Sequence, residues 1–304
     1  TAVCSPPRAS VVTGRNPFRQ GIPTANQGSL KQEEFTIYEA LKSVGYNTGH
    51  FGKWHLGTLT TKVKESNRGG PGSEKHYSPP WEHSVDTVFA TEAKTPSYDP
   101  MIKPAGGGRE KGKGKGKKEK NKTEKTEFRS ASGLGWFPVP DGRPSEPYGT
   151  LYWTGKDQMV DTDSLRGDDS KLIMDHAIPF IEDGAKAKEP FLAVIWFHAP
   201  HLPVVASRED AASYADGKTS GFEQKYYGCV TALDRAVGQL RAQLKAWGIA
   251  ENTMVTFCSD NGPEGGQEAP GRQGEFRGRK RSLYEGGVRV PAVIEWPARI
   301  EAGS

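Results

Sequence analysis

Two short apolar runs constrain this chain most, residues 191–197 (FLAVIWF) and 253–258 (TMVTFC). Each reads as a buried strand. A third run, 288–296, is interrupted by Pro291 and reads as an edge or bulged strand. Helical patterns stand between them. At residues 36–45, Thr36 with Glu39 forms a capping box and Gly45 takes the C′ position. Asp168 or Asp169 caps a second helix that reaches about Asp183, with Pro179 as a kink or early stop. The longest helix carries Phe222, Tyr226, Cys229, Leu233, Val237 and Leu240 in one stripe and ends at Gly248. Helices alternating with buried strands predict an α/β fold with a mostly parallel central sheet flanked by helices. Ligands of such sheets bind outside the carboxyl ends of the strands. Both clear strands end there in polar clusters, His198-Ala199-Pro200-His201 and Ser259-Asp260-Asn261-Gly262.

The rest of the composition narrows the class. A length of 304 residues suits one large domain or two modest ones. No apolar run approaches the ~20 residues of a membrane helix. The three cysteines are too few for a disulfide scaffold. Nine basic and three acidic residues lie between Arg109 and Lys125, enough to turn a net charge of +4 into about −2 for the remainder. The basic balance is therefore no sign of nucleic-acid binding by the folded body. Residues 58–147 read as a loop-rich insertion, and 106–127 within it as a low-complexity, disordered or solvated loop. Asn121-Lys122-Thr123 in that stretch matches a glycosylation sequon.

Five short segments carry chemistry. In Cys4-Ser5-Pro6-Pro7-Arg8 the prolines suit a helix start, which sets Cys4 at the positive end of a dipole beside Arg8. That setting favours an anion and depresses a thiol pKa. In Gly52-Lys53-Trp54-His55-Leu56-Gly57, strand alternation places Lys53 and His55 on one face, a cation and a proton carrier side by side. Asp260 and Asn261 offer two oxygens of the kind a hard cation takes. His198 and His201 flank Pro200, so that one of them can point into the cleft. Lys280 leads into Glu285-Gly286-Gly287, where paired glycines allow close backbone approach.

Together these motifs resemble the formylglycine-dependent (type I) sulfatases of the alkaline-phosphatase-like superfamily. The stretch from Cys4 through Arg8 to Thr13-Gly14-Arg15 is similar to that family's nucleophile signature, and Gly52-Lys53-Trp54-His55-Leu56-Gly57 to its second. His201 before Pro203, Asp260-Asn261-Gly262 and Lys280 follow in the family's order. Tyr284-Glu285-Gly286-Gly287 with Val290-Pro291 resembles the arylsulfatase and N-acetylgalactosamine-6-sulfatase branch.

The resemblance implies that Cys4 is oxidised to formylglycine by a formylglycine-generating or anaerobic maturation enzyme. One hydroxyl of its hydrate attacks sulfur and releases the alcohol; the other then expels sulfate. Arg8 and Lys53 hold the formylglycine, His55 assists the elimination, and His201 and Lys280 grip the sulfate and protonate the leaving oxygen. Asp260, Asn261 and the modified Cys4 ligate calcium. The implied substrate is a sulfate ester, expected on a sulfated carbohydrate, and bacterial members are mostly periplasmic or extracellular.

The family's further metal carboxylates come from an Asp-Asp pair on an N-terminal strand, and no such pair precedes Cys4. The chain therefore reads as a partial catalytic domain truncated at both ends, expected to bind calcium poorly by itself. A phosphoester or phosphonate hydrolase of the same superfamily, and an inactive sulfatase-like glycan-binding protein, share these residues as alternatives.

Overall fold

The structure, a computed structural model, describes residues 1–105, 134–264 and 269–304. The lysine-rich stretch 106–127 and its sequon lie outside the described residues. Helices α1 (Ser5–Thr13) and α2 (Ile37–Lys42) precede strand β1 (Asn47–Lys53). Strands β2 (Thr87–Thr91), β3 (Ile102–Pro104), β4 (Ser145–Pro147), β5 (Tyr152–Gly155) and β6 (Gln158–Met159) follow. Next come α3 (Asp169–Ala187), β7 (Phe191–Trp196), α4 (Arg208–Ala212) and α5 (Gly221–Ala246). Strand β8 (Val255–Cys258), helix α6 (Glu285–Val288) and strand β9 (Ala292–Glu295) close the order.

The central sheet runs β6–β5–β2–β1–β7. Strand β1 is parallel to β2 on one side and to β7 on the other, while β5 and β6 extend the sheet antiparallel. Alternation along the parallel trio builds two cores. Val88, Ala90, Leu192, Val194 and Trp196 face Ala9 and Val12 of α1 and Tyr38 of α2. Phe51, Phe89, Ala193 and Ile195 face Ile173, Met174 and Ala177 of α3 and Ala236 of α5. The result is the expected α/β layering, and it brings the ends of β1, β2 and β7 out at one edge. Gly52 is required where β1 passes β7: it has φ 95°, and a Cβ there would stand 2.2 Å from the carbonyl oxygen of Trp196.

Several expectations change. The capping box at Thr36 is present, but α2 ends at Lys42 with Ser43 as its cap; Gly45, at φ 89°, stands two residues beyond that cap. Helix α3 does not stop at Pro179 and continues to Ala187, because Ile173, Met174, Ala177 and Ile181 are buried along it. That burial outweighs the hydrogen bond the proline cannot make. The stretch 58–147 is not merely an insertion, since it supplies β2, an interior strand with four buried residues. The five residues of β2 are too few to register as a pattern among their Gly- and Pro-rich neighbours.

Strand β8 is the largest departure. Among the described residues it pairs only with β9, antiparallel and apart from the central sheet, and Phe257 and Val293 are exposed. Apolar composition marks a strand there without saying which layer covers it. Strand β9 begins directly after Pro291 at the edge of this pair, as expected. No helix among the described residues is long and apolar enough to cross a membrane.

Candidate active site

Cys4 is the N-cap of α1, with Pro6 and Pro7 in the first turn where no intrahelical N–H is needed. The residue is buried. Arg8, one turn on, is fixed from three sides. Its Nη2 and Nε donate to Oδ2 of Asp260 at 2.9 and 3.2 Å, and its Nη1 donates to the carbonyl of Lys53 at 2.8 Å. Its guanidinium also lies 4.7 Å from the centre of the Trp196 ring. Helix α1 is thereby tied to the ends of β1, β7 and β8 together.

Lys53 is the last residue of β1 and is buried. His55 lies beyond the strand, so alternation does not set its direction; a left-handed backbone at φ 61° does. Its Nε2 is 2.7 Å from Oδ1 of Asn26, and its Nδ1 is buried without a partner. Asp260 and Asn261 follow β8. The Asn261 amide donates to the carbonyl of Gly262 at 2.9 Å, which leaves its Oδ1 a buried acceptor with no donor.

Backbone contacts hold the last motif in place. Gly262 donates to the carbonyl of Gly287 at 2.9 Å, Lys280 to that of Pro263 at 3.1 Å, and Arg281 to that of Ala2 at 2.7 Å. A Cβ on Gly262 would stand 1.9 Å from the carbonyl oxygen of Gly286, so residue 262 must be glycine where the two segments cross. Lys280 is buried and its ammonium is paired with Glu264. The same carboxylate holds Arg281 at 2.6 Å and stands 3.6 Å from Nε2 of His201.

Charge unites these side chains. Burial pushes the Cys4 thiol up, but Lys53, with Lys280 and Arg8, outweighs burial and the opposing Asp260, and the thiol ends below its ordinary value. Burial brings Lys53 down to about 8, against the pull of Cys4 and Asp260. Burial, then Lys53, hold both His55 and His201 well below the usual imidazole range. Burial raises Asp260, yet Arg8 and Lys53 outweigh it and leave the carboxyl below its ordinary value. Cys4, Arg8, Lys53, His55, His201, Asp260 and Lys280 therefore share one electrostatic neighbourhood, with Asn261 next in chain. Three buried or half-buried cations around one thiol suit an anion with developing charge.

The two histidines after β7 separate. His198 is a core residue: its Nδ1 is 2.7 Å from Asp169 Oδ2 and its Nε2 is 2.8 Å from the Thr91 hydroxyl. His201 keeps Nε2 toward Lys280 and Glu264, while its Nδ1 donates to the Leu202 carbonyl at 2.7 Å. Asp168 alone caps α3, and Asp169 instead orients His198.

Sequence reasoning missed Asn26, Lys94 and Glu264. Lys94 follows β2 and its ammonium feels Glu264, Lys280, Arg281 and Cys4, although burial is what most lowers its pKa. Of the three, Glu264 alone had a visible signal, as the acidic residue closing Asp260-Asn261-Gly262-Pro263.

The fold and this constellation define a class, and the chain belongs to the sulfatase family, whose model matches residues 1–303. It is 26% identical to the N-acetylgalactosamine-6-sulfatase of Rattus norvegicus over 99% of its own length and 49% of that protein. To arylsulfatase A of Homo sapiens it is 27% identical, covering 51% of that chain. The chain thus spans about half the length of the curated relatives it matches. Among solved structures, the PsFucS1 sulfatase from Pseudoalteromonas sp. superposes with TM-score 0.65 at 22% identity, over 100% of this chain and 54% of that one. A protein in complex with D-glucosamine-2-N,6-O-disulfate superposes with TM-score 0.58 at 17% identity, over 100% of this chain and 63% of that one. These structural likenesses show the same fold.

Proposed function

We propose that this chain carries the catalytic face of a sulfate-ester hydrolase acting on a sulfated carbohydrate. In this reading residue 4 is matured from cysteine to formylglycine by a dedicated oxidising enzyme. The observation that carries it is the buried Cys4 at a helix start, ringed by Arg8, Lys53 and Lys280. Family membership and the names of the curated relatives support sulfate as the anion. The sugar disulfate bound by one structural neighbour supports a carbohydrate as its carrier.

Formylglycine, once formed, supplies a hydrated aldehyde whose oxygen is the nucleophile. The chain's own residues then have separable tasks. Arg8, locked to Asp260 and to the Lys53 carbonyl, holds a fixed positive charge beside residue 4. Lys53 adds a second charge from the end of β1. Lys280 and His201 share Glu264, and an incoming sulfate takes that carboxylate's place as their anionic partner. The His201 Nδ1–H is committed to a carbonyl, so the neutral ring has only a lone pair at Nε2. Lys280 is therefore the group that gives a proton to the leaving oxygen, and His201 joins it only when protonated.

Asp260 and Asn261 fit a calcium ion in kind. Both present oxygen, and the orphaned buried Oδ1 of Asn261 is the acceptor a cation would satisfy. They do not fit it in number, because calcium takes about six to eight oxygens. Among the described residues no cluster of three or more His, Cys, Asp or Glu could hold a metal.

A peptide mass spectrum covering residue 4, on protein from its native host, tests the reading, together with turnover of matched sulfate and phosphate esters. Formylglycine at residue 4 and faster sulfate turnover are expected. An unmodified thiol in the presence of the maturation enzyme, or preference for phosphate, would overturn it.

A further inference from the structure

His55 has one ring nitrogen with a partner and one without. Nε2 stands 2.7 Å from Oδ1 of Asn26, and the same oxygen accepts from Nδ2 of Asn67 at 3.0 Å. An amide oxygen can only accept, so the proton of the neutral ring is on Nε2 and the lone pair is on Nδ1. That Nδ1 is buried and meets no protein donor. A buried, unpaired acceptor in a native site calls for a functional partner.

The partner arrangement is built, not incidental. Asn26 and His55 both hold left-handed backbones, at φ 64° and 61°. The loop carrying Asn26 is tied down by Arg68, whose Nη1 donates to the carbonyl of Gly28. Arg68 is itself fixed by a buried ion pair with Glu92 at 2.8 Å. Burial, then Lys53, Arg8 and Arg68, keep the ring neutral, which is the form that can take a proton.

We infer that Asn26 is a positioning residue that fixes His55 in its Nε2-protonated tautomer and so leaves Nδ1 as the base that serves residue 4. The role presupposes the sulfate-ester chemistry proposed above. In the step concerned, Nδ1 accepts the proton of the remaining hydroxyl on residue 4. The O–H electron pair closes the carbonyl, the carbon–oxygen bond to sulfate breaks, and its pair leaves with sulfate. The imidazolium returns the proton to water. With the opposite tautomer, a proton on Nδ1 would block the transfer.

The test is ring nitrogen NMR on the full chain with labelled histidine, His55 being assigned by its loss in His55→Gln. A protonated Nε2 and bare Nδ1 are expected in the unaltered protein. Asn26→Leu is expected to release the ring to a mixture of tautomers. In matured enzyme, Asn26→Leu is expected to lower kcat with KM little changed, by at most the ~10²–10⁴-fold that a positioned general base contributes. Asn26→Asp, which keeps the shape and the acceptor, is expected to retain the tautomer and raise the midpoint of His55 titration, which also serves if the leucine variant fails to fold. A proton on Nδ1 in the unaltered protein, or an unchanged tautomer in Asn26→Leu, would overturn the assignment. If the tautomer stands and no sulfate ester is hydrolysed, the sulfatase chemistry fails and His55 loses its role as base, while the hold of Asn26 on the ring survives.

Discussion

Replacing Asp169 with alanine should strip the carboxyl edge of the sheet of its main polar anchor. The carboxylate is fully buried. Oδ1 accepts from the Tyr152 hydroxyl at 2.6 Å and from Thr95 at 3.3 Å, and Oδ2 is paired with Nδ1 of His198 at 2.7 Å. Its removal leaves a buried imidazole and two hydroxyls short of an acceptor, each worth about 1–3 kcal/mol of lost solvation. Partial relaxation brings the total to about 3–5 kcal/mol, the lower part of the range for three such groups. That is a large share of the ~5–15 kcal/mol that holds a domain together. Asp169→Asn keeps the volume and one acceptor and should cost about 1–2 kcal/mol. The assay is urea unfolding by tryptophan fluorescence in a double-mutant cycle with His198→Ala. Coupling between the two positions should fall in the range of about 0.5–3 kcal/mol. Additivity within error, or a cost for Asp169→Ala below about 1 kcal/mol, would refute the anchoring role and free His198 to act in the site.

Glu65 supplies a pH signature. Burial, reinforced by Glu92, pushes its carboxyl to about 8 against donors from Leu151 and Trp153, while the unfolded chain ionises near 4.5. The folded state therefore binds the extra proton, and this stability is complete below about 4.5 and lost as pH rises towards about 8. The slope should be about −1.4 kcal/mol per pH unit inside that window. Unfolding free energies at pH 5 to 8 should decline and Glu65→Gln should flatten the decline; a flat profile in the unaltered chain would contradict it. Lys53→Met, in protein made without the maturation enzyme, should raise the Cys4 thiol midpoint, because the cation that most stabilises the thiolate is gone. Thiolate absorbance, taken as the difference from Cys4→Ser, reads the midpoint, and an unmoved midpoint would refute that ordering of charges. Calcium titration of this 304-residue chain by calorimetry should give a Kd weaker than about 1 mM, since Asp260 and Asn261 supply too few oxygens; micromolar binding would show that donors have been missed.

What the sequence made legible follows how local each signal is. The capping box at Thr36 is written within four residues and forms as expected from such a pair. The prolines after Cys4 likewise encode a helix start without help from the rest of the fold. The candidate site residues differ in how local their signals are: Cys4 starts α1 and Lys53 closes β1, whereas His201 and Lys280 lie in loops. The parallel strands β1, β2 and β7 bring their own ends to one edge, while Asp260 after β8 reaches that edge through its pairing with Arg8. Strand β2 escaped because five residues cannot show a period, and β8 was misplaced because an apolar run does not name the layer that covers it.

The supporting partners were illegible for a deeper reason. Asn26 is 29 positions from His55, Asp169 is 29 from His198, and Glu264 is 16 from Lys280. Asn26 and Asp169 carry no local pattern that points to a partner, and the place of Glu264 behind Asp260-Asn261-Gly262-Pro263 does not name Lys280, because a contact across a fold leaves no period in the chain. These are also the residues that decide protonation and direction. Asn26 selects the free nitrogen of His55, Asp169 keeps His198 out of the cleft, and Glu264 holds Lys280 and His201 on one carboxylate. Reactive groups can be found by their motifs, but which lone pair or proton each one offers is set by remote polar contacts. The chemistry of the site is therefore fixed one step further from the sequence than its membership.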